Sequence, residues 1–152
     1  MKMLKKGTAV LFVMVMAMML VACGGEEETK TYELSKNGTE SKLTYTCKGD
    51  NVIKQKDEYT MPYTTLGVSS KAEAEKFFKE IIDKIQNIDG LTVKVEYKDD
   101  KAIETLEIDY TKISSENIKG IPGLTMSGDT SKGISMKASE KLLKARGYKE
   151  VK

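Results

Sequence analysis

Histidine and tryptophan are both absent from the 152 residues, and proline and cysteine occur only twice each. Without histidine there is no Ser-His or Cys-His nucleophile, no histidine-ligated zinc and no imidazole acid-base catalyst. No serine is followed three residues on by lysine, and there is no Gly-x-Ser-x-Gly elbow. A phosphate-cradling Gly-x-x-x-x-Gly-Lys loop and a calcium loop of EF-hand spacing are also missing. The missing tryptophan removes the usual platform for stacking sugars. These absences argue against the common enzymatic designs and against a metal or cofactor site, so no metal and no cofactor is expected.

What is present is a targeting segment. Lys2, Lys5 and Lys6 precede an uncharged apolar run from Ala9 to Val21, and a small residue, Ala22, stands before Cys23. This is the three-part plan of an export signal. The run falls short of the roughly 20 residues that a membrane-spanning helix needs. Leu20-Val21-Ala22-Cys23 resembles the lipobox of bacterial lipoproteins. That resemblance implies cleavage after Ala22 and a diacylglycerol on the Cys23 thiol, with Leu20, Val21 and Ala22 read by the signal peptidase. Two acyl chains, at about 0.8 kcal/mol per buried methylene, anchor far more firmly than one.

Processing changes what the composition means. Losing Lys2, Lys5 and Lys6 leaves 22 basic against 23 acidic residues, a net charge of −1 in place of the precursor's +2. A near-neutral domain has no electrostatic footprint for nucleic acid. Six of the nine methionines leave with the signal, so methionine abundance is no argument for copper. Residues 1–22 therefore read as a cleaved signal, 23–30 as the lipidated cysteine and a flexible acidic tether, and 31–152 as one domain. Cys47 is left with no thiol to pair with inside that domain.

From Thr31 onward Tyr32 and Leu34, then Leu43, Tyr45 and Cys47, recur at period two around an Asn37-Gly38 hairpin signal. A charged third strand runs from Val52 to about Thr60 and ends at Pro62. Ser70-Lys71-Ala72-Glu73 is a capping box. Behind it Ala74, Phe77, Phe78, Ile81, Ile82, Ile85 and Ile88 mark one stripe of a helix that Gly90 closes. Leu91 to Tyr97 and Leu106 to Tyr110 alternate as an antiparallel hairpin around Lys98-Asp99-Asp100-Lys101. A last helix starts near Ser135 with Met136, Ser139, Leu142, Leu143 and Arg146 facing inward, and stops at Gly147. The long stretch from Ser114 to Ile134 is shortened by a helical turn at Ser115 to Ile118 and a brief strand near Leu124 to Met126. The order β-β-β-α-β-β-α predicts an α+β fold, an antiparallel β-sheet with two helices packed on one face.

The segment Leu43-Thr44-Tyr45-Thr46-Cys47-Lys48-Gly49-Asp50-Asn51-Val52-Ile53-Lys54-Gln55, together with the helix, the hairpin and the closing Lys141 to Val151, resembles the small YehR-type bacterial lipoproteins. The resemblance implies an α+β lipoprotein whose molecular role is not established, and it supplies no catalytic residues.

Among candidate reactive groups, Cys47 keeps step with Leu43 and Tyr45 and reads as a buried packing residue. Asp57-Glu58 and Asp99-Asp100 are the candidate carboxylate pairs. Neighbours in a strand point to opposite faces, the second pair sits in a turn, and both pairs read as solvated surface. Tyr59, Met61 and Tyr63 form an apolar strip that reads as core. The leading expectation is a non-enzymatic lipoprotein at the extracytoplasmic face of the cell membrane. It binds an unknown small ligand or envelope protein through the sheet or through the loop bearing Gly120, Pro122, Gly123, Gly128 and Gly133. The alternatives are a carboxylate- or Cys47-dependent envelope enzyme and a structural accessory subunit of a membrane complex.

Overall fold

Asn37 and Gly38 both take positive φ, 53° and 79°. That is the backbone of a two-residue hairpin turn whose twist matches its strands. It joins β1 (Glu27–Lys36) to β2 (Thr39–Lys48), which pair in unbroken antiparallel register from Glu27↔Lys48 to Lys36↔Thr39. The computed structural model describes residues 25–121, 124 and 133–152. The elements that follow are β3 (Asn51–Pro62), α1 (Tyr63–Leu66), α2 (Lys71–Ile85), β4 (Leu91–Tyr97), β5 (Lys101–Asp109), α3 (Ser115–Lys119), α4 (Met136–Ala145) and β6 (Lys149–Val151). The six strands form one antiparallel sheet in the order β4-β5-β3-β2-β1-β6.

The α+β class with an antiparallel sheet holds, but the order β-β-β-α-β-β-α with two helices does not. Among the described residues the short α1 and α3 bring the helices to four, and β6 adds a strand that pairs Thr31 to Glu33 with Val151 to Lys149. Three residues are too few for a period-two pattern, so only pairing with β1 makes β6 a strand. The sheet also starts earlier than expected. Glu27 to Lys30, read from sequence as tether, are the first rungs of β1, held by backbone pairing with β2 and by the Lys48–Glu27 ion pair at 3.3 Å. The Ser115 turn is present as α3, with the Ser114 hydroxyl accepting from the Asn117 amide. Of the strand expected at Leu124 to Met126, Leu124 is not in a strand, and Thr125 and Met126 lie outside the described residues.

The helices cover one face of the sheet. Ala74, Phe78 and Ile85 of α2 lie over β4 and β5, against Ala102, Leu91, Leu106 and Ile108. Met136 and Leu143 of α4 lie over β1 and β2, against Tyr32, Leu43, Tyr45 and Cys47. The Ser70 cap forms as read, its hydroxyl accepting from the Glu73 amide, while the Glu73 carboxylate reaches Ser69 N–H at 2.7 Å rather than Ser70. The apolar stripe is narrower than the sequence suggested. Phe77 is 40% exposed and lies edge-on to the buried Phe78, and Arg146, expected inside α4, is exposed. Helix α2 ends at Ile85 with Gln86 as its cap. Gly90, at φ 80°, instead admits the chain to β4, where a Cβ would meet Asp109 O and Ile113 N below 3 Å.

Helix α4 is tied to the sheet through the β2–β3 turn. Asp50 accepts from the Lys137 amide at 2.8 Å and from the Ser135 hydroxyl at 2.7 Å, so one carboxylate satisfies the first turn of a helix 85 residues away. The facing of α2 leads to a comparison. Phe78→Ala should cost about 3–5 kcal/mol in urea unfolding and Phe77→Ala under about 1.5 kcal/mol. Equal losses would contradict the observed rotation of the helix.

Candidate functional site

The register of β3 brings an unusual residue indoors. Tyr45 pairs with Gln55, but Cys47, two residues on, pairs with Val52, three residues back. One extra residue on β3 is therefore accommodated at the irregularity between Thr46 and Cys47, as in a β-bulge. Beyond that shift the inward positions are Gln55, Asp57 and Tyr59, while Lys54, Lys56 and Glu58 face solvent. An unbroken alternation from the buried Val52 would have placed the lysines inside.

Asp57 is 2% exposed. It is flanked across the strands by Leu43 of β2 and Leu106 of β5, both buried. It lies under the seam between the part of the core gathered by α4 and the part gathered by α2. No lysine or arginine pairs with it among the described residues. The Gln55 side-chain amide donates to both its oxygens, at 2.8 and 2.7 Å, and the Tyr110 hydroxyl donates to Gln55 Oε1 at 2.6 Å. Removal from water outweighs the Gln55 hydrogen bonds and, with Glu104 nearby, pushes the Asp57 carboxyl up to about 7. Glu104, opposite Tyr59, is raised by the same desolvation. Burial also raises Tyr45, Tyr59 and Tyr110, each pushed further by the Asp57 charge. Ser41 Oγ and the Tyr148 hydroxyl, 2.9 Å apart, close the cluster on the β2 side.

Asp57 thus corrects the surface reading of the Asp57-Glu58 pair. Only Glu58 faces water, where it pairs with Lys56 at 3.2 Å. A charge-rich strand with no apolar alternation carries no signal for a buried acid, because the bulge that inverts the face is a property of the pairing with β2. Asp99 and Asp100 are exposed in the β4–β5 turn as expected. Cys47 is fully buried, its thiol donating to Glu28 O at 3.4 Å and pushed up by burial. Tyr59, Met61 and Tyr63 do pack inward, the Tyr63 hydroxyl donating to Lys98 O at 2.6 Å. Chemically the cluster can hold and release one proton near neutrality. Asp57 itself is closed off from solvent.

Of the residues singled out for binding in the loop, Gly120 and Gly133 lie within the described residues. Gly120 ends α3 with an ordinary negative φ, and Gly133, at φ 91°, sits so close to Asn51 that any Cβ would collide with that side chain. Gly133 thus has a local structural reason to be glycine. Pro122, Gly123 and Gly128 lie outside the described residues, as do Leu20, Val21, Ala22 and Cys23. The uncovered face of the sheet, by contrast, carries two shallow depressions. One, of about 660 Å³, runs from Thr44, Thr46 and Lys54 to Asp89, Glu107 and Lys112. The other, of about 820 Å³, lies among Glu33, Glu40, Lys42, Glu58, Thr60 and Ile103. No cluster of three metal-ligating side chains occurs among the described residues, and no helix there is long and apolar enough to cross a membrane.

Comparison with known proteins agrees with the fold. Residues 28–149 match the model of a protein family of unknown function, DUF1307. An uncharacterized lipoprotein of Listeria monocytogenes is 70% identical over 151 residues, covering 99% of each chain. The uncharacterized lipoprotein YehR of Escherichia coli is 39% identical over 147 residues, covering 93% of this chain and 96% of the other. The solution structure of YehR superposes with a TM-score of 0.73 at 38% identity, over 84% of this chain and 93% of that one. A Streptococcus pneumoniae protein, at TM-score 0.56 and 17% identity over 84% of this chain and 86% of its own, shares the fold alone.

Two outcomes follow from the buried groups. Asp57 has a folded-state pKa above its unfolded value near 3.9, so the native state holds the proton more tightly. Its contribution is most favourable below about pH 4 and is lost as pH rises to about 7, a fall of up to roughly 4 kcal/mol. Asp57→Asn should therefore exceed wild type in urea midpoint at pH 8, and the advantage should vanish by about pH 4. A pH-independent difference would show that Asp57 does not titrate as described. Cys47 should resist a thiol reagent at pH 8 in native buffer and react fully in denaturant; rapid native labelling would reverse its assignment as a packing residue.

Proposed function

The chain belongs to the DUF1307 family of proteins of unknown function, its similar curated relatives bear the name lipoprotein, and from that premise we propose a lipid-anchored binding module. In this reading Cys23 carries the diacylglycerol, the domain sits at the extracytoplasmic face of the membrane, and the uncovered face of the sheet is the contact surface. A single observation carries the choice of surface: the helices cover one face of the sheet, while the other carries the two depressions. That face is built from threonines and from lysine–glutamate pairs such as Lys42–Glu33 and Lys56–Glu58, so it suits a polar partner rather than an apolar one.

The enzymatic alternative draws on Asp57 and Glu104, two inward acids on adjacent strands. Burial of Asp57 keeps that acid from substrate, and the binding reading is preferred. The accessory-subunit alternative calls for an exposed apolar patch. Among the described residues Phe77 is the one large hydrophobic side chain that is exposed.

The reading predicts a footprint. Acetylation of the anchored protein in its native envelope, compared with the purified domain, should slow at Lys42, Lys54 and Lys56 on the open face. It should be unchanged at Lys76 and Lys84 on α2. Equal reactivity at all five lysines in the two settings would overturn the assignment of the open face.

A further inference from the structure

The start of β1 limits how the domain can sit on a bilayer. Only Gly24, Gly25 and Glu26 separate Cys23 from Glu27, the first strand residue. Gly25 lies beside the β2–β3 turn, where a Cβ on it would lie 3.5 Å from Gly49 N. From Gly25 to Cys23 the chain can extend at most about 7 Å. The ten residues of β1 span roughly 33 Å. A tether of that length cannot reach around the strand to the Asn37-Gly38 end.

We propose that the anchored domain stands on end, with the start of β1, the Gly49-Asp50 turn and the first turn of α4 against the phospholipid headgroups. The Asn37-Gly38 hairpin, α1 and the Lys98 to Lys101 turn then point away from the membrane. The proposal rests on the lipid-anchoring reading of Cys23. Lying flat would require a side that enters the interface, and interfacial binding needs a broad apolar face. The open sheet face is polar, and the exposed side of α2 offers Phe77 among charged neighbours such as Lys79 and Asp83, which pair with each other. Among the described residues the near end carries both signs of charge, Glu27 with Lys48 and Asp50 beside Lys137. Orientation is set by tether length.

This placement separates the two depressions. The one bounded by Asp89, Gly90 and Lys112 lies in the half near the bilayer, where β4 begins and β5 ends. The one bounded by Ser35, Glu40, Thr60 and Ile103 lies in the outward half. A partner embedded in the membrane meets the first, and a freely diffusing one meets the second.

The test uses the mature diacylated chain in phosphatidylcholine–phosphatidylglycerol vesicles that carry an energy acceptor on a headgroup. A donor is attached through Lys112→Cys or Lys137→Cys at the near end and through Asp100→Cys at the far end. The buried Cys47 is left in place, and unlabelled wild type serves as the control. Each variant is first required to keep the wild-type urea midpoint. Transfer should be several-fold greater from both near-end positions than from position 100. Equal or reversed transfer in vesicle-bound protein would overturn the orientation while leaving the anchor intact. If the wild-type chain fails to float with vesicles, or Cys23→Ala floats equally well, the anchor itself falls and the orientation with it.

Discussion

A carboxylate held between two leucines in the middle of the sheet is the constraint around which the rest of the domain is arranged. Asp57 sits on β3, the strand that joins the β1–β2 half of the sheet to the β4–β5 half, and both halves place apolar side chains beside it. An uncompensated buried charge is costly enough that such a group tends to keep its proton. Here the cost is reduced by the aligned donors Tyr110 to Gln55 to Asp57, which orient the polar groups of two segments toward one point. The same alignment couples β3 to the chain just beyond β5, since Tyr110 also donates its backbone N–H to Ile53 O at 2.9 Å.

The two faces of the sheet divide the labour. The covered face holds the apolar core and the buried acid, while the open face holds threonines and compensated ion pairs. Exposed pairs of this kind contribute little to stability, with typical values below about 1 kcal/mol each. Their arrangement is better understood as keeping a broad sheet soluble and free of edge-to-edge association. The outward Lys94 and Glu96 on the β4 edge serve the same end. A surface maintained in this way is available to a polar partner without being adhesive.

Much of the fold was legible because local signals were strong. The Asn37-Gly38 turn, the Ser70 cap, the stripe through Ala74, Phe78 and Ile85, and the alternation of β4 each stand where the sequence placed them, while β5 begins at Lys101, ahead of the expected Leu106. The misreadings share a cause. Glu27 to Lys30 look like a solvated tether, and Lys149 to Val151 are too short to show any pattern; both are strands because a partner offers them a ladder. Phe77 is apolar and in phase, but α2 is rotated so that Phe78 takes the core and Phe77 the rim. The buried acid was illegible because its face is decided by one extra residue opposite Thr46 and Cys47.

The sequence by itself determined the absence of histidine chemistry, the α+β class and the positions of the principal helices and hairpins. These follow from composition and from periodicities of 2 and 3.6 residues, which act over a few neighbours. The tertiary structure alone decided which side of β3 is inside, that burial pushes the Asp57 carboxyl up to about 7, that Asp50 caps a helix 85 residues away, and that Gly25 lies beside the Gly49 turn. Each of these depends on which strands and turns meet. Strand pairing is long-range, so a one-residue slip exchanges the faces of a strand without altering a letter of the local pattern.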